Sequence, residues 1–151
     1  RIGHGFAIAY GEVSDEESQA LLEDVQKREI LFEVCMTSNV PRMVDSYADH
    51  PVRKLMDKGV KITVSCDNLT LSGWPESQEQ YKAHSPYQQS FYAWPAGEIA
   101  HLIADCGFTW GQVKDVLMNG ARGSFLEPDR TWLQRFEAEI DVVFKNEGIV
   151  G

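Results

Sequence analysis

The sequence predicts an α/β fold in which short parallel strands alternate with helices, and three observations lead to that prediction. Val60 to Cys66 alternates in polarity and is rich in β-branched residues, as strands are. Ile30 to Cys35 is a compact apolar run, which is typical of a strand buried on both faces. Helix signals lie between the two runs, so the order of elements is that of a βα-repeating parallel sheet.

Helix start and end signals divide the first part of the chain. Arg1 to Gly5 is interpreted as the end of a strand, and Ser14 is predicted to begin a helix because Glu17 completes a capping box with it. Pro51 is predicted to begin a second helix and Gly59 to end it. The residues expected to form the apolar faces of these two helices are Leu21, Leu22, Val25, Val52, Leu55 and Met56.

The last part of the chain is predicted to be a long loop followed by three helices. The loop is residues 69–94, which are rich in Gly, Pro, Ser and aromatic residues. Pro95 begins the first helix, Thr109 and Gln112 form the capping box of the second, and the third follows Pro128. The apolar face of the third is expected to consist of Trp132, Phe136, Ile140 and Val143.

Polar side chains come directly after each predicted strand. They are His4, the run Thr-Ser-Asn at 37–39, and the pair Asp67 and Asn68. His4 and Cys35 are 31 residues apart and Cys35 and Asp67 are 32 apart, so the clusters recur at a nearly constant interval. Because catalytic groups of βα barrels collect at the carboxyl ends of the strands, we expect these clusters to share one site.

Composition excludes several classes of partner and location. The formal net charge of −9 over 151 residues argues against nucleic acid, which requires a cationic surface. No run approaches the roughly 18 apolar residues that a membrane span needs. The three cysteines are odd in number and form no C-x-x-C pair, so we expect a reducing compartment, the cytoplasm.

Three strands cannot close a barrel, because an eight-stranded (β/α)8 barrel typically needs about 250 residues. Only three residues precede His4, which is too few for a full strand. We therefore expect residues 1–151 to be the C-terminal portion of a single barrel domain, with the N-terminal portion missing.

Four segments, in the same order, resemble those of the adenosine deaminase family. They are R-I-G-H-G at 1–5, F-E-V-C-M-T-S-N at 32–39, H-P-V-R-K-L-M-D-K-G-V-K-I-T-V-S-C-D-N at 50–68 and N-G-A-R-G-S-F-L at 119–126. The resemblance implies the last three βα units of a TIM-type barrel followed by C-terminal helices. It also implies hydrolytic deamination of adenosine or a related 6-aminopurine nucleoside or nucleotide with one Zn²⁺ ion.

The resemblance also implies roles for three residues. His4 lies beside the water that zinc activates, where it helps to deprotonate that water and stabilises the developing charge; Asp67 is a zinc ligand, and Asn68 donates to N7 of the purine. These residue types suit the chemistry, because a carboxylate is a good zinc ligand and an amide donates without being protonated. Met36 replaces the family's usual proline, which is expected to alter backbone stiffness more than chemistry.

Two family segments that supply most of the zinc ligands, H-x-H and H-x-G-E, do not occur in the chain. Their ligands are expected from the N-terminal half of the same barrel. The remaining histidines are interpreted as structural: His50 caps a helix, His84 lies in the long loop and His101 lies within a helix. Two alternatives stay open. The chain could be a non-catalytic pseudoenzyme or assembly subunit, or it could belong to the wider metal-dependent amidohydrolases.

Overall fold

Three parallel strands form one sheet at the centre of the fold. The computed structural model describes residues 1–10, 14–67, 95–125 and 131–149. The strands are β1 (Ile2–Gly3), β2 (Phe32–Val34) and β3 (Ile62–Val64), and they pair in the order β1-β2-β3. Ile2 lies opposite Phe32, and Phe32 lies opposite Ile62. The parallel sheet predicted from the sequence is therefore confirmed, with strands shorter than the apolar runs that predicted them.

Seven helices surround the described part of the sheet. Their bounds are α1 (Phe6–Tyr10), α2 (Asp15–Lys27), α3 (Met36–Met43), α4 (Val52–Asp57), α5 (Pro95–Ala104), α6 (Trp110–Arg122) and α7 (Thr131–Asn146). Of these, α1 and α3 were not predicted. Both are short and follow β1 and β2 closely. Helix α1 is an apolar run of five residues, too short to show helical periodicity, and α3 begins with the polar run at residues 37–39.

Both predicted capping boxes are present. The Ser14 hydroxyl accepts from the backbone N–H of Glu17 while the Glu17 carboxylate accepts from Ser14, and Thr109 and Gln112 do the same at the start of α6. Each box satisfies two backbone donors that a helix start would otherwise leave unpaired. These helices therefore begin where the sequence places them.

The hydrophobic core lies between the sheet and the helices on it. Phe32, Val34 and Ile62 of the strands are fully buried, and α6 packs against β3 with Val113 and Val116. A few expected core positions are wrong. Leu21 is 43% exposed, and Val143 is 52% exposed while its neighbour Phe144 is buried. Periodicity locates a helix face to within about one residue, and only packing decides which side chain turns inward.

The predicted loop at residues 69–94, which includes His84, lies outside the described residues, as does Asn68. Among the helices that the structure describes, none combines the length and the apolar character needed to cross a bilayer.

Candidate active site

His4 and Asp67 meet at the carboxyl ends of the outer strands. His4 directly follows β1 and Asp67 closely follows β3, and His4 Nε2 lies 3.7 Å from Asp67 Oδ2. Both residues have left-handed backbone angles, with φ of 59° for His4 and 54° for Asp67. Such angles are uncommon for residues other than glycine and concentrate at functional sites. The pairing of these two residues agrees with the expectation that the polar clusters share one site.

Helix α3 adds two polar side chains from the end of the middle strand. Ser38 Oγ donates to Asp67 Oδ2 at 2.7 Å, and Asn39 Nδ2 lies 3.1 Å from His4 Nδ1. Ser38 and Asn39 are both buried, so they are held by packing as well as by hydrogen bonds. The sequence placed the run 37–39 at this rim but assigned none of its residues a role.

A buried carboxylate from a distant helix holds the start of α3. Glu98 of α5 accepts from the backbone N–H of Met36 at 2.9 Å and of Thr37 at 3.0 Å. Glu98 is fully buried, and burial raises the pKa of its carboxyl from 4.5 to about 7 against the opposing effect of these hydrogen bonds. The hydrogen bonds satisfy two donors of the first helical turn, and a negative charge there is favoured by the helix dipole. Glu98 thereby orients the turn that carries the polar side chains of α3.

A cavity of about 480 Å³ opens in front of these groups. Its polar wall is formed by His4, Asp67, Ser38 and Asn39, and its apolar wall includes the side chain of Phe6. The side chains of His4 and Asp67 are 41% and 35% exposed, so both reach the open space. The volume is within the range of small-molecule sites, roughly 300–1,000 Å³.

The donor set at this site fits a metal ion in part. Within the described residues, one ligand atom each from His4, Cys35 and Asp67 lies within 4.8 Å of the other two. Imidazole nitrogen, thiolate sulfur and carboxylate oxygen are all ligands of zinc. Cys35 is buried, and that burial, with the nearby Asp67 carboxylate, raises the pKa of its thiol to about 12. Without a metal the thiol therefore stays protonated at neutral pH.

Comparison of the sequence with known protein families identifies the family of this chain. The sequence model of the family described as adenosine deaminase matches residues 1–93, which carry β1, β2, β3 and the four polar side chains of the cavity wall. The chain belongs to the adenosine deaminase family.

Relatives agree with that family assignment. An adenosine deaminase of Clostridium kluyveri is 32% identical over 126 residues, covering 83% of this chain and 29% of that protein. An adenosine deaminase of Plasmodium knowlesi is 45% identical over 69 residues, covering 45% of this chain and 17% of that protein. The chain thus spans less than a third of the length of these two relatives.

A solved structure shows the fold. An amidohydrolase from Burkholderia ambifaria, determined with bound zinc, superposes with a TM-score of 0.68 at 22% identity, covering 97% of this chain and 35% of its own. The fold predicted from the sequence, the last three βα units of a (β/α)8 barrel followed by C-terminal helices, is confirmed.

Met36 stands where the adenosine deaminase family usually has proline, and the structure shows what this difference changes. The family's usual proline has no N–H, whereas the Met36 N–H donates to Glu98. In this chain the buried carboxylate therefore has two backbone donors where a proline would leave it one. Sequence reasoning missed Glu98 because a glutamate within a helical stripe is usually exposed.

The two other described histidines lie where the sequence expects them. His50 Nδ1 accepts from the backbone N–H of Val52 at the start of α4, as a helix cap does. His101 lies within α5, stacks on Tyr47 and hydrogen-bonds to Asp105 at 2.7 Å. His50 also contacts Asn39, a connection to the site that sequence reasoning missed.

Proposed function

We propose that the chain is the C-terminal portion of a zinc-dependent deaminase that hydrolyses adenosine, or a related 6-aminopurine nucleoside or nucleotide, to the 6-oxo product and ammonia. The observation that carries the proposal is the convergence of His4 and Asp67 at one cavity, at the carboxyl end of the sheet, in a member of the adenosine deaminase family. In βα barrels this end is where catalytic groups lie.

Asp67 is proposed to be a zinc ligand. Its carboxylate reaches the cavity, and Ser38 Oγ donates to Oδ2 at 2.7 Å, which restricts the rotation of the carboxylate. A hydrogen bond from a side chain that does not itself bind the metal orients the ligand and supports metal affinity. When bound, zinc lowers the pKa of a water molecule toward 7, so that a strong nucleophile is available at neutral pH.

His4 and Asn68 are proposed to act on the reactants and not on the metal. The exposed imidazole of His4 is close enough to Asp67 to contact an oxygen held next to that carboxylate. Asn68 follows Asp67 directly, and its amide is proposed to donate to N7 of the purine, which is an acceptor.

The remaining ligands of a single zinc ion are proposed to come from the N-terminal half of the same barrel. A zinc site needs about four ligands, and within the described residues the metal-ligating group at the cavity has three members, one of them a buried thiol. The proposed compartment is the cytoplasm, in keeping with three cysteines that are free thiols.

The proposal is tested on the complete barrel protein that contains this chain. Zinc would be measured by elemental analysis, and ammonia release would be measured with adenosine, AMP, adenine and an N6-modified adenosine. We expect one zinc per protein, ammonia release from at least one 6-aminopurine, and loss of activity on chelation with recovery on adding zinc.

The alternative, a pseudoenzyme or assembly subunit, makes the opposite prediction in the same assay. A folded, zinc-loaded protein that releases ammonia from none of these purines would contradict the proposed function. A guanosine control, whose amino group is at another position of the ring, identifies activity that is not specific to the 6-amino group.

A further inference from the structure

A chain of hydrogen bonds connects the start of α4 to His4. The backbone N–H of Val52 donates to His50 Nδ1 at 3.1 Å. A backbone N–H can only donate, so Nδ1 carries no proton and the proton of the neutral ring is on Nε2. His50 is 3% exposed, and burial lowers its pKa to about 4, so the ring is neutral at ordinary pH.

The next contact determines the orientation of the Asn39 amide. His50 Nε2 lies 3.1 Å from Asn39 Oδ1, and because Nε2 carries the proton, the amide oxygen accepts. The amide nitrogen of Asn39 then faces His4, with Nδ2 lying 3.1 Å from His4 Nδ1. An amide nitrogen can only donate, so His4 Nδ1 is the acceptor.

It follows that a neutral His4 carries its proton on Nε2, the atom that lies 3.7 Å from Asp67 Oδ2. Every donor and acceptor in this series is assigned from one backbone N–H, which cannot reverse its role. Asn39 and His50 are 2% and 3% exposed, so water does not compete for their hydrogen bonds.

We propose that Asn39 and His50 are positioning residues that hold His4 in the tautomer protonated at Nε2 and aim that N–H at the cavity. The inference rests on the proposed function for its catalytic meaning, but the spectroscopic measurement that tests it does not. It changes the expected role of His4, since a nitrogen that carries a proton donates to an oxygen in the cavity and cannot also accept a proton from it. In this state His4 stabilises negative charge on the attacking oxygen, as donors in an oxyanion site do.

The test is a direct measurement of the tautomer in the complete zinc-loaded protein. Long-range ¹H–¹⁵N correlation spectra of the histidine rings distinguish Nδ1–H from Nε2–H, and the His4 signals are assigned by their loss in His4→Gln. We expect His4 and His50 both to be protonated at Nε2 only. A wild-type His4 protonated at Nδ1 would overturn the proposal, and this measurement requires no variant of the positioning residues to fold.

Asn39→Asp tests the cause. A carboxylate can only accept hydrogen bonds, so the carboxylate of this variant would still accept from His50. It could no longer donate to His4 Nδ1, and it should instead draw a proton onto that nitrogen. His4 would then be protonated at Nδ1 or at both nitrogens. We expect that spectral change, unaltered zinc content, and a kcat that falls with little change in KM. The expected fall is roughly 10- to 100-fold, the size found when hydrogen-bond partners that orient metal-binding residues are removed. Asn146→Asp, an exposed position at the end of α7, is the matched control and should alter neither the spectrum nor kcat.

An unchanged His4 spectrum in folded Asn39→Asp would show that Asn39 does not determine the tautomer. Failure of the proposed function looks different, because the wild-type spectrum would then be as expected while no 6-aminopurine releases ammonia.

Discussion

His4 and Asp67 lie 3.7 Å apart, His4 Nε2 to Asp67 Oδ2, and both have left-handed backbone angles within three residues of the end of a strand. The left-handed conformation costs about 1–2 kcal/mol for a residue with a Cβ. Parallel strands bring their carboxyl ends to the same edge, and the two side chains meet there. The site thus combines a property of the sheet with two locally strained residues.

Asp67 and His4 should differ in their effect on zinc. In the complete protein we expect Asp67→Ala to lose both zinc and activity, because it removes a ligand. His4→Ala should keep zinc while turnover falls about 10²–10⁴-fold, the range for groups that act on protons or charge in the transition state. Zinc content and turnover are measured on the same samples, with Asp45→Ala, an exposed aspartate, as the control. Zinc lost from His4→Ala, or retained with full activity by Asp67→Ala, would reverse the assignment of roles.

Asn68 is expected to contribute to purine binding without affecting zinc. Asn68→Ala should weaken transition-state binding by about 0.5–1.5 kcal/mol, the usual net value of one hydrogen bond. Asn68→Asp is the sharper variant, since a carboxyl donates to N7 only when it is protonated, which should make activity fall as pH rises. The measurement is kcat/KM against pH for both variants. A pH profile identical to that of the wild type in Asn68→Asp would remove the purine contact from the proposal.

Glu98 is expected to stabilise the start of α3. Glu98→Ala leaves the buried N–H groups of Met36 and Thr37 without their acceptor, and an unsatisfied buried donor costs about 1–3 kcal/mol. The free energy of unfolding should therefore fall by at least that amount in denaturant titrations. Glu16→Ala, on the exposed side of α2, should change it by less than about 0.5 kcal/mol. Equal effects of the two variants would mean that the buried hydrogen bonds do not stabilise the fold.

Gly5 is expected to tolerate no side chain. Its φ is 63°, and a Cβ there would collide with the ring of the fully buried Phe32. Gly5→Ala should lower the free energy of unfolding by about 2–4 kcal/mol, from backbone strain and overpacking together. Gly3→Ala is the matched control, because a Cβ at Gly3 meets no atom of the described residues within 4 Å. The melting temperatures of the two variants, measured side by side, check this; a Gly5→Ala protein as stable as Gly3→Ala would exclude the collision.

His50 should make the protein less stable in mild acid. Its pKa falls from 6.5 to about 4 on folding, so between these values the unfolded chain binds more protons than the folded one. The stability contributed by neutral His50 is full above pH 6.5 and is lost as pH falls toward 4, by an amount on the order of 3 kcal/mol. The raised pKa of Glu98 makes the folded protein more stable as pH falls over part of this range, which opposes the effect of His50. The effect of His50 must therefore be isolated by comparing the wild type with a His50 variant.

That difference is the free energy of unfolding of wild type minus that of His50→Gln, measured by denaturant titration from pH 7 to pH 4. We expect it to shrink as pH falls, because glutamine does not titrate. A difference that is constant with pH would show that His50 is not buried as a neutral ring.

The sequence predicted most of the fold because its signals are local. The capping box involves only Ser14 and Glu17, and the strand at β3 is indicated by the alternating polarity of residues 60–66. Both elements could therefore be located without knowledge of tertiary contacts. The short helix α3 was missed for the opposite reason. Its first turn is held by Glu98, whose side chain reaches it from another helix, and no local pattern records that contact.

By itself, the sequence determined the alternation of strands and helices, the family, and the placement of His4 and Asp67 at the ends of strands. The family follows from the resemblance of four segments. Residue order and periodicity carry the rest, because each strand presents its last polar residues to the same edge of a parallel sheet. Only the tertiary structure decided that Asn39 and His50 connect to His4 and that Cys35 lies beside Asp67. Those contacts arise where the carboxyl ends of β1, β2 and β3 converge, and the direction of each hydrogen bond depends on its partner across space and not on its neighbours in the chain.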